Sequence, residues 1–185
     1  MIDEIQQDAE ARMIKTVDST RDDMARIRTG RASTALLDHL TVDYYGSTTP
    51  ISQVASISVA DARTLTVQPW EKAMLSVVER AILESDLGLN PVTAGETMRI
   101  PLPPMTEQRR IELVKVVKNE GENGKIAIRN IRRDAIHTVR ELLKEKEITQ
   151  DEEKGAESAM QILTDKYTAL INEVVSEKEK EVMEV

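Results

Sequence analysis

Residues 127–135 read Ala-Ile-Arg-Asn-Ile-Arg-Arg-Asp-Ala. Each residue of a helix turns by about 100°, so this stretch sorts its side chains onto two faces. Ile128, Ile131 and Ala135, continued by Val139 and Leu142, make an apolar seam. Lys118, Lys125, Arg129, Arg132, Arg133 and Arg140 fall within a separate stripe roughly 120° wide. The reading is a long amphipathic helix that buries one edge and presents a cationic one.

Working outward, the same periodicity runs from Thr106, a candidate N-cap with Glu107 in the first turn, to Leu143. Glu120-Gly121-Glu122-Asn123-Gly124 interrupts its composition. Each Gly costs about 1 kcal/mol relative to Ala in a helix interior. A turn is nearly as well supported here, but the seam keeps its phase on both sides, so a continuous helix is the expectation. Beyond Ile148 to Glu153 the pattern breaks, and Thr149 is a candidate cap for a last helix carried by Met160, Leu163, Tyr167, Leu170 and Val174. Gly155 weakens the start of that helix. At the other end, Ile2, Ile5, Ala9, Met13, Thr16, Val17, Thr20, Met24 and Ile27 step by three and four, so residues 2–28 read as one helix.

Residues 31–104 differ in kind. Leu40 to Tyr44 alternates with period two, Gly46 to Pro50 is turn material, Val54 to Val59 alternates again, and Thr64 to Pro69 is a strand stopped by proline. Residues 71–85 carry helical spacing through Met74, Val77, Val78, Ala81 and Ile82. Asp86 to Pro91 is a helix exit, and Thr97 to Ile100 a short strand. In one strand, Tyr44 and Tyr45 point to opposite faces, one inward and one partly exposed. Trp70 reads as a packing residue. Pro101-Leu102-Pro103-Pro104 cannot lie inside a helix.

The expected fold class is therefore α+β. A long three-helix bundle is formed by residues 1–29 and 105–185, with a small β/α/β domain, 31–104, inserted between its first and second helices. The chain crosses between the two at 29–31 and 101–105. Thr29, Gly30 and Arg31 on one crossing, and Pro101, Leu102, Pro103 and Pro104 on the other, read as a hinge in which Gly allows a bend and Pro limits slack.

Charge is unevenly spread. The chain of 185 residues has net charge -8, yet residues 105–146 carry 11 basic and 7 acidic side chains, while residues 147–185 carry 4 and 11. Exposed charges are screened over about 8 Å at physiological salt, so a local cationic edge can act despite the total. An anionic partner would approach along 105–146. On pattern alone, the bland reading of that edge is favoured: a solvated helix face with local pairs such as Arg129 with Asp134.

Several classes are disfavoured. There is no cysteine, hence no disulfide, thiolate zinc site or thiol nucleophile. His39 and His137, the two histidines, have no metal-ligating company except acidic residues. No Gly-rich phosphate loop ending in Gly-Lys-Ser/Thr occurs, and Gly121 to Gly124 lacks a preceding strand. The acidic N-terminus does not read as a signal or transit peptide, and no apolar run approaches the roughly 20 residues of a membrane span. No enzyme and no cofactor are expected, and the compartment read is the cytoplasm. A helical adaptor that uses its apolar seams for protein partners is the competing reading.

Taken in order, Ile27 to Ser33, Val42 to Gly46, Asp61 to Leu65, Asp86 to Pro91, Arg99 to Glu107, Ala127 to Ala135 and Lys146 to Ile148 closely resemble the bacterial ribosome recycling factor family. The likeness spans essentially the whole chain. It implies an L-shaped pair of domains joined by a flexible elbow. It also implies a monomer that binds the large ribosomal subunit after termination and, with elongation factor G and GTP hydrolysis by that partner, helps split the subunits and free them from messenger RNA. In such proteins the basic edge contacts ribosomal RNA. Arg129 and Arg132 match the RNA-contacting motif, Arg28 near the elbow matches a further basic position, and Arg133, Arg140, Lys118 and Lys125 extend the edge. Contact with elongation factor G falls on the inserted domain. Thr34 and Thr48 stand where members often carry Pro, and Gly121 and Gly124 where stronger helix formers are usual.

Overall fold

The computed structural model describes residues 1–184. In chain order the elements are α1 (Ile2–Arg26), β1 (Thr41–Tyr44), β2 (Ser47–Pro50), β3 (Ala55–Asp61), β4 (Thr64–Pro69), α2 (Leu75–Leu83), β5 (Val92–Ala94), β6 (Thr97–Pro101), α3 (Glu107–Lys144) and α4 (Gln150–Glu184). They separate into two compact units. One contains Met1–Arg28 with Gln108–Glu184, the other Thr29–Glu107.

The first unit is built from α1, α3 and α4. Ala9, Met13, Val17 and Met24 of α1, Ile128, Ile131, Ala135 and Val139 of α3, and Met160, Tyr167, Ile171 and Val174 of α4 are buried. As α3 advances from Gly121 to Arg140, its partners run backwards, from Val175 to Glu157 on α4 and from Thr20 to Arg12 on α1. It is therefore antiparallel to both. The phenol of Tyr167 donates to Glu10 at 2.7 Å, and Lys166 lies 3.3 Å from the same carboxylate, which fastens α1 to α4. These two donors hold the Glu10 pKa below the ordinary carboxylate range, the Tyr167 bond contributing most.

The turn between α3 and α4 is closed at both ends. The Glu147 amide donates to Leu142 O at 2.9 Å and the Lys146 amide to Leu143 O at 3.0 Å. This is the paired C-terminal cap in which one residue takes the left-handed conformation, here Lys146 with φ 63°. Thr149 then opens α4 as expected. Its hydroxyl accepts from the Glu152 amide at 3.3 Å, and its own amide donates to the Glu152 carboxylate at 2.7 Å.

α3 is continuous through Gly121 and Gly124, and both glycines are buried. A Cβ on Gly124 would sit 2.6 Å from Thr20 Oγ1 and 2.8 Å from Ile171 Cδ1, and one on Gly121 would overlap Val175 Cγ2. The missing side chains let three helices meet here. Gly155, by contrast, has nothing within 4 Å of a built Cβ.

The second unit holds a four-stranded antiparallel sheet, order β3-β4-β6-β5, and a separate β1-β2 hairpin. Leu65 and Val67 of β4, Met98 and Ile100 of β6, Val78 and Ile82 of α2, and Leu37 and Ile51 are fully buried.

Four expectations need correction in this unit. Residues 47–50 form a strand rather than a turn. Tyr45 and Gly46 both take positive φ, 50° and 86°, and so make a two-residue hairpin loop that pairs Tyr44 with Ser47. Tyr45 thus lies outside the strand, and the alternation with Tyr44 fails: both hydroxyls donate to Glu71, Tyr45 at 2.8 Å. Trp70 is 66% exposed rather than packed, because Pro69 takes the inward position before it. β5, three exposed residues pairing with β6, was absent from the expected elements.

Candidate nucleic-acid interface

The seam and the stripe of α3 explain one another. Burying Ile128, Ile131, Ala135 and Val139 fixes the rotation of the helix. Residues about 100° from that seam on its α4 side then face outward along the border with α4. Arg129, Arg133 and Arg140 are exposed, as is Lys118, while Arg132 and Lys125 are half-buried. Six cations of one sign lie on one edge of one helix. The rigid bundle beneath holds them in register.

Each of four cations has an identified internal partner. Arg132 Nη1 donates to Gln161 Oε1 at 2.8 Å. Arg140 donates to Glu157 through Nε at 3.1 Å and Nη2 at 2.8 Å, with Glu153 at 3.8 Å. Lys118 Nζ is 3.9 Å from Glu179. Arg129 Nη2 donates to Glu122 Oε1 at 2.7 Å, and this bond is the main reason the Glu122 pKa lies below the ordinary carboxylate range.

The expected Arg129–Asp134 pair does not form. Five residues of helix separate the two by about 140°, and Asp134 instead binds Arg12 of α1 at 3.1 Å. Glu122 sits seven residues before Arg129, two turns away on the same face. That spacing is legible in the sequence, and it is the signal that reasoning from nearest neighbours passed over.

Arg28 is exposed but belongs to the segment after α1, so it is not part of the α3 stripe. The crossing residues lie within the second unit or at its border. Thr29 is buried, and Gly30 takes φ 75°, with Met105 Cγ only 2.9 Å from where a Cβ would stand. The Ala32 amide, following Arg31, donates to Ala62 O at 2.8 Å, and the Leu102 amide, between Pro101 and Pro103, donates to Arg63 O at 2.7 Å. Both crossings are thereby tied to the same β3–β4 turn. Pro101 closes β6 opposite Thr64, and Pro103 and Pro104 follow it without regular structure.

Elsewhere the described residues offer little chemistry. A groove of about 720 Å³ runs between α1 and α3 past Lys15, Ser19, Asn123, Gly124 and Asn130, on the opposite flank of α3 from the stripe. No group of three or more potential metal ligands occurs among the described residues. None of their helices is long and apolar enough to cross a membrane.

Comparison with known proteins places the chain among translation factors. The family model described as ribosome recycling factor matches residues 20–183. The ribosome-recycling factor of Legionella pneumophila (strain Paris) is 57% identical over all 185 residues, covering the whole of both chains. That of Cupriavidus taiwanensis is 58% identical over 177 residues, covering 96% of this chain and 95% of its own. A solution structure of the ribosome recycling factor aligns over 100% of this chain and 98% of its own, at 41% identity and a TM-score of 0.66. A second similar structure, 41% identical with TM-score 0.60 and covering 98% of each chain, is of the T. thermophilus factor, with E. coli elongation factor G, bound to the E. coli post-termination complex.

Proposed function

This chain belongs to the ribosome recycling factor family, a family of non-enzymatic translation factors, and from that premise we propose that it docks the cationic edge of α3 on large-subunit ribosomal RNA of the post-termination ribosome. Elongation factor G, hydrolysing GTP, then acts on the docked factor. The subunits separate and the ribosome leaves its messenger RNA. The factor works in the cytoplasm as a monomer and contributes shape and charge rather than bond chemistry.

The observation that carries this reading is the set of six cations on one border of a helix whose rotation is fixed by burial. Arginine suits such a surface, since its planar fork reaches two phosphate oxygens at once and stacks on bases. Arg129 and Arg132 are the principal contacts, with Arg133, Arg140, Lys118 and Lys125 along the same face and Arg28 as a separate one. The pivot between the units lies in 29–31 and 101–105. Gly30 supports this, since glycine takes the left-handed φ of 75° at little steric cost, and a Cβ there would stand 2.9 Å from Met105 Cγ.

Arg132→Ala tests the reading. The half-buried side chain donates to exposed Gln161, a single neutral bond at the helix border, so helicity should be kept and stability should fall by no more than about 1 kcal/mol. Polysome breakdown with elongation factor G should be lost. Normal breakdown by this variant would remove the α3 edge from the mechanism.

A further inference from the structure

The cationic edge carries one carboxylate of its own. Between Lys118 and Arg140, Glu122 is the acidic residue whose helical angle places it inside the stripe. Glu153, Glu157 and Glu179, which meet Arg140 and Lys118, reach in from α4 at the border. Glu122 is about half exposed, as is Arg129, and the two are joined at 2.7 Å. The bond to Arg129 holds the Glu122 pKa below the ordinary carboxylate range, which favours the charged form of the pair.

We propose that Glu122 is a specificity-determining residue of this interface, holding Arg129 in an internal ion pair so that docking becomes an exchange of carboxylate for RNA phosphate. The inference rests on the reading that α3 binds ribosomal RNA. A flexible strand follows the whole stripe, and its phosphates pass over Glu122. It must break the pair, as any ligand of Arg129 must, and in addition bear the repulsion of the freed carboxylate. A folded RNA presents phosphates at fixed, separated places and can engage Arg129 and Arg132 while leaving a gap where Glu122 turns away. The carboxylate therefore weighs against unstructured RNA more than against the ribosome, a repulsive element that sharpens choice of partner.

The test is a double-mutant cycle read on two ligands, single-stranded poly(U) and purified large subunits, across a salt series. Glu122→Gln should bind poly(U) roughly two- to fivefold more tightly at low ionic strength, the range an exposed ion pair allows. Its salt dependence should steepen by up to about 0.7, one further phosphate neutralised on a single strand. Its affinity for large subunits should change by less than about twofold. In an Arg129→Ala background the carboxylate has lost its partner, so the poly(U) gain from Glu122→Gln should persist. A gain that is absent, equal for both ligands, or lost without Arg129 would overturn the role of Glu122 while leaving the ribosomal reading intact. If Arg129→Ala alone bound large subunits as tightly as wild type, the reading of α3 as the RNA-binding edge would fall, and this inference with it.

Discussion

Two stretches of α3, about one and a half turns apart, use opposite means to opposite ends. At Gly121 and Gly124 the helix gives up side chains, and α1 and α4 close on its backbone through Thr20, Ile171 and Val175. From Arg129 to Arg140 it carries long side chains outward to Gln161, Glu157 and Glu153 along the border with α4. The first stretch fixes where the three helices sit. The second inherits that placement and presents charge at defined positions. Rigidity at the glycines and reach at the arginines are thus two parts of one design, and a fault in the first should spread to the second.

The largest expected effect breaks the first stretch. Gly121→Ala puts a methyl into Val175 Cγ2, the stiff branch of a β-branched side chain. The overpacking cost of about 1–3 kcal/mol outweighs the roughly 1 kcal/mol gained in helix propensity. Chemical denaturation should show a net loss, and Val175→Ala in the same chain should recover part of it, with a coupling of at least about 0.5 kcal/mol. If Gly121→Ala proved stabilising, the close approach would not be real. A smaller effect of opposite sign sharpens the contrast. Gly155 lies in α4 with open space where its Cβ would be, so Gly155→Ala should raise stability by about 0.5–1 kcal/mol in the same measurement. Two helical glycines, one substitution, and opposite signs would separate packing from propensity.

These glycines also mark how far a sequence can be read. The apolar seams of α1, α3 and α4 were legible because burial follows the helical period, as Ala9, Met13, Ile128, Ile131 and Met160 illustrate. The Thr149 cap was legible because its chemistry is local. Gly121 and Gly124 looked like a weakness because a propensity scale records what glycine costs within its own helix and nothing of the neighbours it admits. The hairpin from Thr41 to Pro50 was half seen, since Tyr45 in a left-handed conformation is not what turn chemistry favours. At the candidate interface, the cations were legible from spacing, whereas Gln161, Glu157 and Glu179 were not, because they arrive from another helix 17 to 61 positions away. Glu122 is the instructive intermediate, local enough to be found at a spacing of seven once a full two turns are considered.

The most direct measurement is co-sedimentation with purified large subunits over a salt series, with wild type beside a variant carrying both Arg129→Ala and Arg132→Ala. Six phosphate contacts predict a slope of log affinity against log salt of order -4 to -5, and losing two arginines should flatten it by about 1.4–1.8. Binding that ignores salt, or a double variant whose slope and affinity match wild type, would contradict the account.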